Sequence, residues 1–304
     1  MILYPNCKIN VGLRVVRKRP DGYHDLETIF VPVYGLHDEL EVKSIPNPSL
    51  KGREIFSFVQ EGIVVDCDPE DNLIIKCYRR MKARYPQIGN VEVRFKKNIP
   101  FGAGLGGGSS DAAHMAIALN ELFGLGLTKA QLAAEVAPLG ADCPFFIYNV
   151  PCYAEGIGDQ LTPVDLDLKG TRLVLIKPDE GVSTKEAYIG IKPNPVNVLR
   201  TATGSPIEQS SSPLKGREIN PSHLEGFIND FEATVFPLHP VIGEIKKRLL
   251  DAGAYYASMS GSGSTVFGFF KNDPEGRTDA HLRLLKEEFA SMVLLDDTFG
   301  EWKA

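Results

Sequence analysis

The 304-residue sequence has no apolar run approaching the ~20 residues that cross a bilayer, which excludes a spanning helix. It has no excess of positive charge. Its 33 Lys and Arg stand against 39 Asp and Glu, a net charge of −6, so no basic face for nucleic acid is expected. Cysteine is scarce and unpaired in pattern. Cys7, Cys67, Cys77, Cys143 and Cys152 are odd in number and contain no CxxC, a pattern that fits free thiols in a reducing compartment better than a disulfide framework or a zinc site. The amino terminus lacks the continuous apolar stretch of a signal peptide, being broken by Pro5, Asn6 and Lys8. A cytoplasmic protein with neither membrane nor nucleic-acid partner is expected. What is present is ordinary for a globular chain, 43% apolar and 24% charged. At ~100–200 residues per domain, two domains or one two-lobed unit are expected.

The first third is strand-like over 8–16, 28–34 and 39–44, with Arg19-Pro20-Asp21-Gly22 as a turn between the first two. Helical spacing begins near Asp71, a candidate N-cap, and runs to Tyr85; another strand is expected at 90–96. Helices follow at 112–123 and from Thr128, as cap, to Leu139, then a strand at 172–177 and an amphipathic helix at 240–252. A strand pair at 255–270 is interrupted by Ser260-Gly261-Ser262-Gly263-Ser264. Residues 201–222 are rich in Ser, Thr, Gly and Pro and are expected to be an exposed insertion. They contain the whole of Leu-Lys-Gly-Arg-Glu-Ile at 214–219, which repeats 50–55; one repeat of six residues is too short for a solenoid unit.

Between Phe101 and Asp111 lie five glycines, directly ahead of an Ala-rich helix. Glycine lets successive N–H groups converge on an anion, and the helix N-terminus adds about half a positive charge there. Ser109 and Ser110 can cap the helix or offer hydroxyls to a phosphate or its magnesium. A loop built only for packing is the plainer alternative, but five glycines are costly to order. Gly102, Gly104 and Gly107 satisfy G-x-G-x-x-G, yet no acidic residue follows at the end of a second strand, so a dinucleotide site is not supported. The Gly-Lys-Ser/Thr of a P-loop is absent, as are the HRD and DFG triplets of protein kinases.

The stretch from Pro100 to Ala113, with Gly102, Gly104, Leu105, Gly106, Gly107, Gly108, Ser109 and Ser110, resembles the ATP loop of the GHMP kinases. Gly140-Ala141-Asp142 resembles the segment that carries their acidic catalytic residue, and Met259–Ser264 their C-terminal glycine motif. Cys7-Lys8-Ile9-Asn10 and the run from Arg19 through Tyr23 and His24 to Phe30 are similar to members acting on a methylerythritol that carries a cytidine diphosphate group. The resemblance covers nearly the whole chain apart from about 45–60 and 201–222. It implies an α+β, two-lobed fold, with a ribosomal protein S5 domain 2-like ATP-binding lobe over 1–160 and a ferredoxin-like substrate lobe over 161–304. It also implies ATP as phosphate donor, Mg²⁺ carried with the nucleotide, and a step of the non-mevalonate isoprenoid route. A monomer or a homodimer is compatible with it.

The same resemblance implies roles. Asp142 would accept the hydroxyl proton and Lys8 would balance its charge, with Asn10 on the substrate side of the same strand. Tyr23, His24 and Tyr188 would hold the cytosine; the family often has Phe at the last position. Asn72 and Lys97 would lie at the nucleotide. Without the resemblance, Asp142 is equally a helix cap, Lys8 a solvated strand lysine, and Tyr23 and Tyr188 core tyrosines. A GHMP kinase for another alcohol, such as homoserine, would keep the glycine loop without needing Tyr23 and His24. An idle binding protein would be expected to have lost Asp142 or Lys8.

Overall fold

The computed structural model describes residues 1–45, 56–64, 68–193, 219, 224, 226–271 and 277–300. The six-residue repeat and the 201–222 insertion, apart from Ile219, lie outside the described residues, as does Cys67. In chain order the strands are β1 (Ile2–Leu3), β2 (Asn6–Lys18), β3 (His24–His37), β4 (Glu39–Ile45), β5 (Phe56–Gly62), β6 (Asn90–Lys97), β7 (Cys152–Glu155), β8 (Gln160–Pro163), β9 (Arg172–Ile176), β10 (Tyr256–Met259), β11 (Val266–Phe270) and β12 (Val293–Thr298). The helices are α1 (Leu73–Arg84), α2 (Gly107–Leu122), α3 (Lys129–Val136), α4 (Cys143–Tyr148), α5 (Thr184–Ala187), α6 (Glu232–Val235), α7 (Pro240–Asp251) and α8 (Arg277–Glu288). Among the described residues, no helix is long and apolar enough to cross a membrane.

The chain packs as two compact units that interleave along the sequence. The first is Met1–Cys7, Leu36–Phe101 and Gly106–Asn149. Its sheet has the order β1-β4-β6-β5, antiparallel except for the β5–β6 pair. Helix α2 packs against α1, α3 and α4. Ala112, Ala113, Met115, Ala116, Ala118 and Leu119 are all buried, so small side chains bring the neighbouring helices close. Thr128 caps α3 in a full capping box with Gln131, as the sequence indicates. The cap of α1 differs from expectation. It is Asn72, whose Oδ1 accepts the Ile74 N–H at 2.9 Å, while Asp71 belongs to the preceding 3-10 turn.

The second unit is Lys8–Gly35, Gly102–Leu105 and Val150–Ala304, so neither unit is one continuous stretch of chain. It holds two four-stranded sheets, β2-β3-β7-β8 and the antiparallel β10-β11-β9-β12. Ile242, Ile245 and Leu249 of α7 pack into a core with Val174, Ile176, Val266 and Phe270. Strand β2 is buried on both faces, apolar at Ile9, Val11, Leu13 and Val15 and polar at Lys8 and Asn10. Buried polar residues at alternate positions demand partners, and these define the site.

Candidate active site

In the second unit, Lys8 Nζ donates to Asn10 Oδ1 at 2.6 Å and lies 4.9 Å from the centre of the Phe30 ring. Asn10 Nδ2 donates to Thr28 Oγ1 at 3.0 Å, and that hydroxyl donates to the Gly12 carbonyl at 2.5 Å. Lys8 is therefore a buried cation in a built polar row, unlike a solvated strand lysine. Two glycine segments close on the same strand. The Lys8 N–H donates to the Leu105 carbonyl at 3.0 Å, and the Asn10 N–H to Ser260 Oγ at 3.3 Å. Ser260 Oγ in turn donates to the Gly104 carbonyl at 2.9 Å. Gly104, at φ +74°, approaches so closely that a Cβ there would stand 2.0 Å from the Ser260 carbonyl oxygen. No other residue type combines that conformation with that contact.

In the first unit, α2 starts five residues before the expected 112, so the last glycines and both serines of the loop form its first turn. Gly106 at its N-cap has a left-handed backbone and no side chain to cap the first amides, which leaves those donors for an anion. Beneath the turn, Lys97 Nζ bonds Asp38 Oδ2 at 2.5 Å and Asp111 Oδ2 at 2.7 Å, all three residues being buried. Asp38 Oδ1 also accepts the Asn98 and Ile99 N–H groups at 2.6 and 2.8 Å. A Cβ on Gly107 would meet Ile99 Cγ2 at 2.9 Å and Lys97 Nζ at 3.0 Å. Lys97 is thus an internal strut under the loop, with its ammonium committed to two carboxylates.

The serines separate. Ser110 is buried against His114, whose Nδ1 lies 3.3 Å from its hydroxyl. Ser109 is the half-buried one, and its hydroxyl is the hydrogen-bond partner of the Cys143 thiol, which burial pushes up to about 12. This joins the glycine loop to the Gly140–Cys143 segment that carries Asp142. Asp142 sits at the N-cap position of α4 but makes no cap bond with its side chain, so the capping alternative is not realised. Asn72 and Leu73 flank the same turn, for a Cβ on Gly108 would meet Leu73 Cδ1 at 3.6 Å. Pro100 leads into the loop, and Phe101 beside it is 73% exposed.

His24 and Tyr188 stack, with centroids 4.6 Å apart and planes 17° from parallel. Tyr188 meets Phe231 edge-on at 4.8 Å. A base inserted between the first two rings would need about 7 Å between their planes, so this platform offers an outer face and not a slot. Tyr23 stands apart in solvent, 62% exposed, its N–H on Asp21 Oδ1. Thr184 Oγ1 lies 3.3 Å from Ser262 Oγ, which ties the segment before Tyr188 to the C-terminal glycine turn. Thr28 and Phe30 were not singled out from the sequence, although both belong to the motif that carries Tyr23 and His24. Asn229 and Glu232, which bond the glycine turn, were signalled only by polar residues beside Phe231.

A buried lysine row, an uncapped glycine-rich helix start and an acidic residue joined to it define the parts of a phosphotransferase. The GHMP kinases N terminal domain model matches residues 72–149, and the GHMP kinases C terminal model matches 208–281. A 4-diphosphocytidyl-2-C-methyl-D-erythritol kinase from Bacteroides thetaiotaomicron is 48% identical over 91% of this chain and 93% of its own length. The crystal structure of a 4-(cytidine 5'-diphospho)-2C-methyl-D-erythritol kinase aligns with a TM-score of 0.74 and 28% identity, over 99% of this chain and 100% of that one. The homoserine kinase of Cytophaga hutchinsonii, with a TM-score of 0.65 and 17% identity over 98% and 92%, shares the fold. The chain belongs to the 4-diphosphocytidyl-2-C-methyl-D-erythritol kinase family of the GHMP kinases, which use ATP as phosphate donor.

Proposed function

We propose that the protein transfers the γ-phosphoryl group of ATP to the 2-hydroxyl of 4-diphosphocytidyl-2-C-methyl-D-erythritol, a step of the non-mevalonate isoprenoid route. The observation that carries this reading is the convergence of Lys8, Asn10, Gly104 and Ser260 in one hydrogen-bonded cluster. The phosphates lie on the first turn of α2, held by the amides around Gly106–Ser109. Asp142 takes up or orients the hydroxyl proton, and Lys8 balances its charge and that of the transferred group. Asn10 holds the acceptor alcohol. His24 and Tyr188 take the cytosine on the exposed side of their stack, with Tyr23 closing from solvent. Asn72 contacts the adenine through its amide nitrogen, since its oxygen caps α1. Ser110 and Lys97 act from beneath the loop.

Mg²⁺ arrives with the nucleotide. Among the described residues there is no group of three or more His, Cys, Asp or Glu that could hold a metal. Such an ion keeps several waters and binds through phosphates and one or two protein oxygens, and the Ser109 hydroxyl is the one proposed here. The linear division into a nucleotide part over 1–160 and a substrate part over 161–304 belongs to the same proposal, as does a cytoplasmic monomer or homodimer. Titration with CMP or CDP tests the reading against a kinase for homoserine, because only a cytosine site predicts saturable binding. Asp142→Asn should keep its melting temperature and lose at least ~100-fold in turnover; turnover within threefold of wild type would remove Asp142 from the chemistry.

A further inference from the structure

Residues 228–232 attach themselves to β2 and the C-terminal glycine turn at once. The Leu13 N–H donates to the Ile228 carbonyl at 3.0 Å, and the Asp230 N–H to the Leu13 carbonyl at 2.8 Å. Asp230 then accepts the Val15 N–H at 2.9 Å and Arg14 Nη1 at 2.8 Å. This fixes the segment along the strand that carries Lys8 and Asn10.

Asn229 faces the turn. It is 1% exposed, and its Nδ2 donates to the carbonyls of Met259 and Gly261 at 2.7 and 2.8 Å. Its Oδ1 accepts the Phe231 N–H at 3.0 Å. One amide side chain therefore uses both donors and its acceptor, a set that no carboxylate or hydroxyl of that size supplies. Glu232 completes the grip, accepting the Met259 N–H at 2.9 Å and the Ser258 hydroxyl at 3.0 Å, with Lys246 Nζ on its other oxygen at 2.5 Å. Both backbone groups of Met259 are thereby fixed from behind. On the other side of the turn, Ser260 bonds Gly104 and Asn10.

We propose that Asn229 is a positioning residue for phosphoryl transfer, holding the Met259–Gly261 backbone so that the Ser260–Ser264 turn is formed before the nucleotide arrives. This rests on the kinase reading above. A turn preorganised in this way spares ATP the cost of ordering it, so loss of the bracket weakens the nucleotide selectively.

The test is calorimetric titration of wild type and Asn229→Asp with Mg-ATP and, separately, with CDP, alongside a thermal melt. The substitution keeps shape and the acceptor for Phe231 but removes both donors. The folded variant is expected to bind Mg-ATP at least tenfold more weakly, with CDP unchanged within twofold. Mg-ATP affinity within twofold of wild type would overturn the proposal, and so would equal weakening of both ligands, which marks general loosening. If Asn229→Asp fails to fold, Glu232→Gln and Ser258→Ala take its place. A threefold or greater loss confined to Mg-ATP in either supports the bracket, and full affinity in both overturns it. A wild type that binds Mg-ATP without phosphorylating the cytidine substrate sinks the kinase assignment and leaves this comparison decisive; one that binds no Mg-ATP overturns both.

Discussion

At the scale of the residue, the site depends on which polar groups are spent on structure and which remain for a ligand. Asn72 gives its oxygen to a helix cap, Lys97 its ammonium to two carboxylates, and Ser110 turns inward to His114. Lys8 and Asn10 face each other in a buried row. Residue type and motif made all five visible in the sequence, but not this division of labour, because the partners Asp38 and Asp111 lie 59 and 14 positions from Lys97. His24 gives a prediction at this scale. Burial disfavours its imidazolium and Lys18 repels it, so its pKa falls below the ordinary value of 6.5. A group lowered in this way stabilises the fold above its unfolded pKa and loses that contribution as pH falls through the folded one. The neutral ring is then the form that meets cytosine. Cytidine affinity is expected to be flat from neutral to alkaline pH and to fall as the medium is acidified below pH 6.5, with the dependence abolished in His24→Asn. Tighter binding on acidification, measured by the same titration, would contradict the assignment.

At the scale of the element, β2, β4, β6, β9, β10, β11, α1, α3 and α7 lie within about two or three residues of their expected places, since period and punctuation coincide there; β3 runs past both expected ends, and β1, β5, β7, β8, β12, α4, α5, α6 and α8 carry too short or too weak a pattern to be anticipated. Helix α2 departs furthest from its expected start, beginning at Gly107 where propensity alone argues against it. Tertiary packing overrides that cost: Gly107 lies on Ile99 and the Lys97 ammonium, and Gly108 beside Leu73. Gly107, Gly108 and both serines of the loop are thus part of the helix, fixed from below by the Lys97–Asp38–Asp111 cluster. Strand β5 was invisible because its parallel partner β6 lies some thirty residues away and its own residues alternate only over Phe56 to Phe58. Lys97→Met should leave two buried carboxylates without a counter-charge and cost about 3–5 kcal/mol in urea denaturation. A loss below about 1 kcal/mol would show that the cluster is not the strut described here.

At the scale of the whole molecule, the sequence's two-part organisation is present, but the two compact units do not divide at one point in the chain. Strands β2 and β3 and the four residues Gly102–Leu105 join the unit formed mainly by the C-terminal half. Such sharing cannot be inferred from linear patterning, because it depends on hydrogen bonds such as Lys8 N–H to Leu105 and Ser260 to Gly104. Function was more legible than partition, for the glycine loop, the acidic segment and the Tyr23–His24 motif each occupy a short contiguous stretch. The acceptor decides the assignment, and ADP release from Mg-ATP reads it out, comparing 4-diphosphocytidyl-2-C-methyl-D-erythritol with homoserine, mevalonate and galactose. Turnover with the cytidine compound alone is predicted; turnover with another of these alcohols, or none from protein that binds Mg-ATP, would contradict it.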